Sequence, residues 1–118
     1  MGDRMIVKLV LVGTLVVTAY RPVSWQTKPE CTNRSNCRTS IGDNTSETGM
    51  AISQDLLANG TVHYGDCLYI PDIGYRVVND TMAKRNNKAA DILVFTKNEE
   101  RKIGVRHTKV YLIRVEEK

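Results

Sequence analysis

The sequence predicts a small, closed all-β barrel. Three observations point there: the apolar residues fall in many short runs, turn signals separate those runs, and almost no stretch keeps a helix-length period. At 118 residues the chain has room for one domain with one core. Hydrophobic residues make up 42% and charged residues 25%, ordinary globular values that exclude global disorder.

Taken in order, Val7 to Tyr20 reads as one or two strands broken near Gly13. Met5 to Val17 is as apolar as the core of a signal peptide. However, Asp3 is out of place in such a leader and no small-x-small cleavage site follows, so strand is the preferred reading. The run is also shorter than the ~20 residues a membrane span needs. Arg21 to Gly49 is polar and rich in Ser, Thr, Asn and Gly, which predicts a long loop. Its Trp25, the only tryptophan, suits either a sugar-binding groove or the lid of a small satellite core.

Ala51 to Ser53 follows as a short strand, Asp55 to Leu57 as the start of a helical turn, and Asn59-Gly60 as a turn. Asp66 to Ile70 and Tyr75 to Val78 read as a hairpin around Pro71-Asp72-Ile73-Gly74. Met82 to Lys88 is polar loop. Ala90 to Phe95 is a strand, Asn98 to Lys102 one helical turn before Gly104, and Lys109 to Val115 the closing strand.

The net charge of +4 is mild, and the basic residues are scattered without interleaved aromatics. Aromatic residues are only 6%, which argues against a nucleic-acid platform. Of three cysteines, Cys31 and Cys37 flank a short polar stretch that a disulfide would close in an oxidising compartment. Cys67, in an apolar run, reads as a buried thiol. No Cys-x-x-Cys is present and His63 and His107 are far apart, so neither a metal site nor another cofactor is expected.

Two carboxylates stand out by context. Asp80 ends the apolar run Tyr75-Arg76-Val77-Val78, and Asp91 opens the run Ile92-Leu93-Val94-Phe95. A carboxyl with apolar neighbours is partly desolvated, which raises its pKa, and a second carboxylate raises it further. That is how a carboxylic acid stays protonated near neutral pH, as glycoside cleavage requires. The same placement fits strand-end aspartates that cap local backbone N–H groups, and composition and spacing alone favour that reading.

The stretch from Gly65 to Met82, with its Tyr-Ile…Gly turn, apolar strand and Asp80-Thr81, resembles the core signature of the three-aspartate ("3D") domain family. The likeness continues through Arg85 and Asn86 to Ala90-Asp91-Ile92, eleven residues after Asp80. Val17-Thr18-Ala19-Tyr20 resembles the family's opening strand, and Thr39-Ser40-Ile41-Gly42 its Thr-x-x-Gly turn. Ala51-Ile52-Ser53 resembles the strand that carries its first aspartate. Gly104 and Val110-Tyr111-Leu112 resemble its closing strand.

The resemblance implies a six-stranded double-psi β-barrel, akin to the catalytic barrel of membrane-bound lytic transglycosylase A. It implies cleavage of the MurNAc–GlcNAc β-1,4 bond of peptidoglycan with a 1,6-anhydro product. Asp91 would then be the single acid/base and Asp80 its support, with Thr18, Tyr20, Ser53, Asp55 and Thr81 at the substrate groove. Where the family has its first aspartate this chain has Ser53, with Asp55 two residues on. Either Asp55 takes over or the chain is a two-aspartate variant. Met82 replaces a frequent glycine and would narrow the groove floor.

The implied partner is the peptidoglycan glycan strand, reached in the periplasm or outside the cell, or at the host wall if the protein is phage-encoded. No nucleic acid, no stable membrane span and a monomeric state are expected. The alternatives are a non-catalytic glycan-binding barrel and a murein hydrolase on the same fold.

Overall fold

The computed structural model describes residues 5–21 and 49–117. It contains six strands, β1 (Met5–Tyr20), β2 (Gly49–Ile52), β3 (Cys67–Ile70), β4 (Gly74–Thr81), β5 (Ala89–Leu93) and β6 (Arg106–Glu117). Two short helices, α1 (Gln54–Ala58) and α2 (Lys97–Ile103), complete the described elements. The strands close into a barrel in the order β1-β5-β2-β4-β3-β6. The expected small all-β barrel with six strands is therefore present. Trp25, Cys31, Cys37 and the Thr39-to-Gly42 turn lie outside the described residues.

The barrel is interleaved rather than a simple meander. β1 pairs in parallel with β5, and β2 in parallel with β4. The remaining ladders are antiparallel: β1 with β6, β2 with β5, β3 with β4 and β3 with β6. Alternation along each strand sends every second residue inward. Leu15, Val17, Met50, Ile52, Leu68, Ile70, Val78, Ala90, Ile92 and Val110 form one core, joined by Leu56 of α1 and by Val62.

Several element boundaries differ from the expectation. Gly13 does not break β1; the ladder to β6 slips by one residue between Leu11 and Gly13 and then continues. The slip bulges the strand out at Val12, and Gly13 takes a φ of 152° there. The last strand starts at Arg106 rather than Lys109, because β1 supplies partners along its full length. Asp91 sits in the middle of β5 instead of at its start, whereas Asp80 is the penultimate residue of β4. β4 runs on to Thr81 and β5 begins at Ala89, because β2 pairs with both. Cys67 is half-buried instead of buried, and burial still pushes its thiol pKa up.

α2 is set by its own sequence. The Thr96 hydroxyl accepts from Glu99 N–H at 3.1 Å, and the Glu99 carboxylate accepts from Thr96 N–H at 3.1 Å, a reciprocal capping box. Gly104 ends the helix with a φ of 57°. No helix among the described residues is long and apolar enough to cross a membrane.

Candidate active site

The outer face of the barrel carries a second, smaller apolar cluster of Tyr20, Ala51 and Leu93, with Met82 and Phe95 packed against it. The candidate site is built on this floor. Thr18 of β1 is the register partner of Asp91 on β5, and Asp91 is the partner of Ala51 on β2. Ala51 is in turn the partner of Asp80 on β4. Four residues from four adjacent strands thus form one row: Thr18, Asp91, Ala51, Asp80. Adjacent strands lie about 4.8 Å apart, so two strand spacings separate the aspartate backbones, with only a methyl group between.

A bulge places Asp80 in that row. Met50 pairs with Val78, yet the next residue, Ala51, pairs with Asp80, so Asn79 is the extra residue. Without the slip, Asn79 would face Ala51 and Asp80 would turn inward. Asn79 is buried, and its amide lies over Gly49. A Cβ at position 49 would come within 2.7 Å of Asn79 Nδ2. Gly49 is therefore needed for close approach. Asn79 Oδ1 is sealed from solvent and has no hydrogen-bond partner among the described residues.

The electrostatics centre on Asp91. Burial is the largest influence and raises its pKa; Glu100 and Asp80 push the same way, and the result is about 6. The Thr18 hydroxyl opposes them by donating to Asp91 Oδ1 at 2.8 Å. Glu100, on α2, is held by Arg21, whose Nε donates to Glu100 Oε1 at 3.1 Å. Tyr20 is buried beside both aspartates. Burial first, then Asp80 and Asp91, keep its phenol protonated well above the usual range. Asp80 Oδ1 accepts from the Thr81 N–H at 2.8 Å.

The remaining expected groove residues serve a different junction. Ser53 is fully buried; its hydroxyl accepts from Ala89 N–H at 3.1 Å and bonds the Asp55 carboxylate. Asp55 accepts from Lys88 N–H at 3.1 Å. Burial pushes the Asp55 pKa up, but the bonds from Ser53, Lys88 and Leu56 outweigh it and hold the carboxyl below its ordinary value. Together they pin the start of β5 to the β2–α1 corner. Thr81 falls on the face alternate to Asp80, and its hydroxyl donates to Ile52 O at 3.2 Å. Met82 does pack on the floor of the row.

Thr18, Tyr20, Asp80 and Asp91 are thus brought together, and Ser53, Asp55 and Thr81 face elsewhere. Sequence reading missed Glu100, Arg21, Asn79 and Gly49. Glu100 carries no local signal, because its helix comes to the site only through tertiary packing. Asn79 beside Asp80, and a glycine opening a strand, were the available hints of a bulge.

A separate cavity of about 550 Å³ opens between the β3–β4 turn and α2. Arg76, Lys102 and Arg106 are among its lining residues, and neither Asp80 nor Asp91 borders it. Among the described residues, no group of three His, Cys, Asp or Glu side chains is placed to hold a metal ion. No protein-family model matches the chain, and no curated protein matches it.

Proposed function

We propose that the protein is a peptidoglycan lytic transglycosylase with Asp91 as its single acid/base. The observation that carries this reading is the Asp91 carboxyl: burial, Glu100 and Asp80 hold its pKa at about 6, close to a working pH. The resemblance to 3D domains supports the same residue in the same role.

In this reading Asp91 first gives its proton to the glycosidic oxygen of the MurNAc–GlcNAc bond. That bond breaks and positive charge develops at the MurNAc C1. Asp91, now a carboxylate, takes the proton of the MurNAc C6 hydroxyl as its oxygen bonds to C1. The products are a 1,6-anhydro ring and a free GlcNAc hydroxyl. The proton account balances without water. Thr18 occupies Oδ1 of Asp91, which leaves Oδ2 for the mobile proton. Asp80 supplies negative charge beside the developing cation. Tyr20 stays neutral throughout and serves as a hydrogen-bonding wall.

Purified sacculi test the reading. Clearing of the suspension with products lighter by one water than hydrolysed muropeptides is the expected result. Products with an ordinary reducing end make the protein a hydrolase instead. Binding without clearing makes it a glycan-binding barrel. In the first case the site of action is the cell wall and the partner is the glycan strand.

A further inference from the structure

The molecule measures 49 × 30 × 29 Å, and the long axis has a specific origin. β1 joins β5 only from Val16 onward, and β6 joins β3 only at Tyr111 and Leu112. Met5 to Leu9 and Ile113 to Glu117 therefore pair only with each other. They form a two-stranded arm that continues past the barrel wall. A two-stranded ribbon is marginal in water unless something covers its apolar face.

The arm has two unlike faces, set by the period of two and the observed register. Met5, Val7, Leu9 and Leu11 share one face with Tyr111, Ile113 and Val115 across the ladder. None of the seven carries a charge, and Glu117, the register partner of Met5, marks the outer end of this face. Met5, Val7, Leu9, Leu11 and Val115 are each 52–65% exposed. The other face alternates Ile6, Lys8 and Val10 with Leu112, Arg114 and Glu116. There Lys8 Nζ meets Glu116 Oε1 at 2.9 Å.

We propose that the apolar face of this arm is a homodimer interface, on which two copies stack about a two-fold axis. The seven residues offer on the order of 500 Å² of apolar surface, at the upper end of what a monomer leaves bare. Stacking two such faces buries about 1,000 Å², the floor for a specific interface. An apolar ladder is self-complementary, as a two-fold contact requires.

Other occupants fit less well. The polar face mixes both charge signs, unlike the Lys/Arg-rich face of a lipid-bound amphipathic element. Residues 22–48 offer only Val23, Trp25 and Ile41 as large apolar side chains, too few to cover seven. The inference is independent of the proposed activity and replaces the monomer that the sequence reading expects.

Sedimentation of the full chain from roughly 1 µM to 1 mM, the range in which small interfaces associate, tests it. The expected result is a reversible monomer–dimer equilibrium. Leu9→Lys should weaken it at least about a hundredfold, and Lys8→Gln on the opposite face should leave it unchanged. If Leu9→Lys does not fold, judged by circular dichroism, Val7→Thr keeps strand propensity and should still weaken association. A monomer across the whole range overturns the proposal, whatever covers the face. So does a dimer insensitive to Leu9 and Val7. Flotation of the monomer with phosphatidylcholine–phosphatidylserine vesicles, abolished by Leu9→Lys, would reassign the face to lipid.

Discussion

Asp80 and Asp91 are register partners of one and the same residue, Ala51, from opposite sides of β2. A parallel ladder, an antiparallel ladder and one bulge must all be in place for that to hold. The pair is therefore as rigid as the barrel wall. Its separation is set by strand spacing, not by side-chain choice.

Asp91→Asn removes the proposed proton donor while keeping the shape. Turnover of sacculi should fall roughly 10²–10⁴-fold, with binding retained. The stability consequence runs the other way. Folding raises the Asp91 pKa from 3.8 to about 6, so the folded state binds this proton more tightly. Stability is fully present below about pH 3.8 and is lost as pH rises through 6. At pH 8 the ionised carboxylate costs up to about 3 kcal/mol, and Asp91→Asn should recover part of it. Urea melts at pH 4 and pH 8 check this: the gain should appear only at the higher pH.

Thr18→Val deletes the hydrogen bond that, among the described residues, favours ionised Asp91. The Asp91 pKa should rise, and the fall in rate with alkalinity should move to higher pH. At pH 8 the variant should lose about 1–3 kcal/mol, the usual cost of stripping a hydrogen bond from a charged group. Thr18→Ser should restore both. The checks are a pH–rate profile and carbon NMR of the Asp91 carboxyl.

Glu100→Gln tests the long-range influence. Removing that negative charge lowers the Asp91 pKa, so the rate should begin to fall at a lower pH than in the parent protein. The effect should shrink at high salt, because part of the interaction crosses solvent. A profile unchanged at low salt would mean that Glu100 does not act on Asp91.

Gly49→Ala brings a Cβ within 2.7 Å of Asn79 Nδ2. Overpacking of this kind costs about 1–3 kcal/mol, and the displaced bulge should also carry Asp80 out of its row. Asn79→Ala should be milder, since its Oδ1 has no hydrogen-bond partner among the described residues. In the double variant the clash disappears, so the two changes should couple by at least about 0.5 kcal/mol. Denaturant midpoints for all four proteins form the cycle.

Much of this was legible along the chain. The runs around Val17, Leu68, Val78, Ile92 and Val110 announce inward-facing strands, because period-two alternation is a local property. α2 is announced by the turn from Asn98 to Lys102 ahead of Gly104, while its capping box of Thr96 and Glu99 emerged only in the structure. Strand ends were read less well. Asp80 and Asp91 look like strand termini because polar residues interrupt apolar runs there. In the barrel the same polarity marks outward-facing positions, in the middle of β5 for Asp91 and one residue from the end of β4 for Asp80.

The sequence by itself determined that the chain closes into a small β-barrel and singled out Asp80 and Asp91 as polar interruptions of apolar runs. Alternation, turn residues and local polarity carry that much, since each acts over a few residues. Only the tertiary structure decided that Ala51 lies between the aspartates, that Thr18 bonds one of them and that Glu100 reaches it from α2. It also turned Ser53 and Asp55 to the β5 corner, and ran the β1–β6 ladder past the barrel wall. These outcomes depend on strand order and on a one-residue bulge. A shift of one residue in register reverses every side chain on a strand, and nothing local in the sequence records that choice.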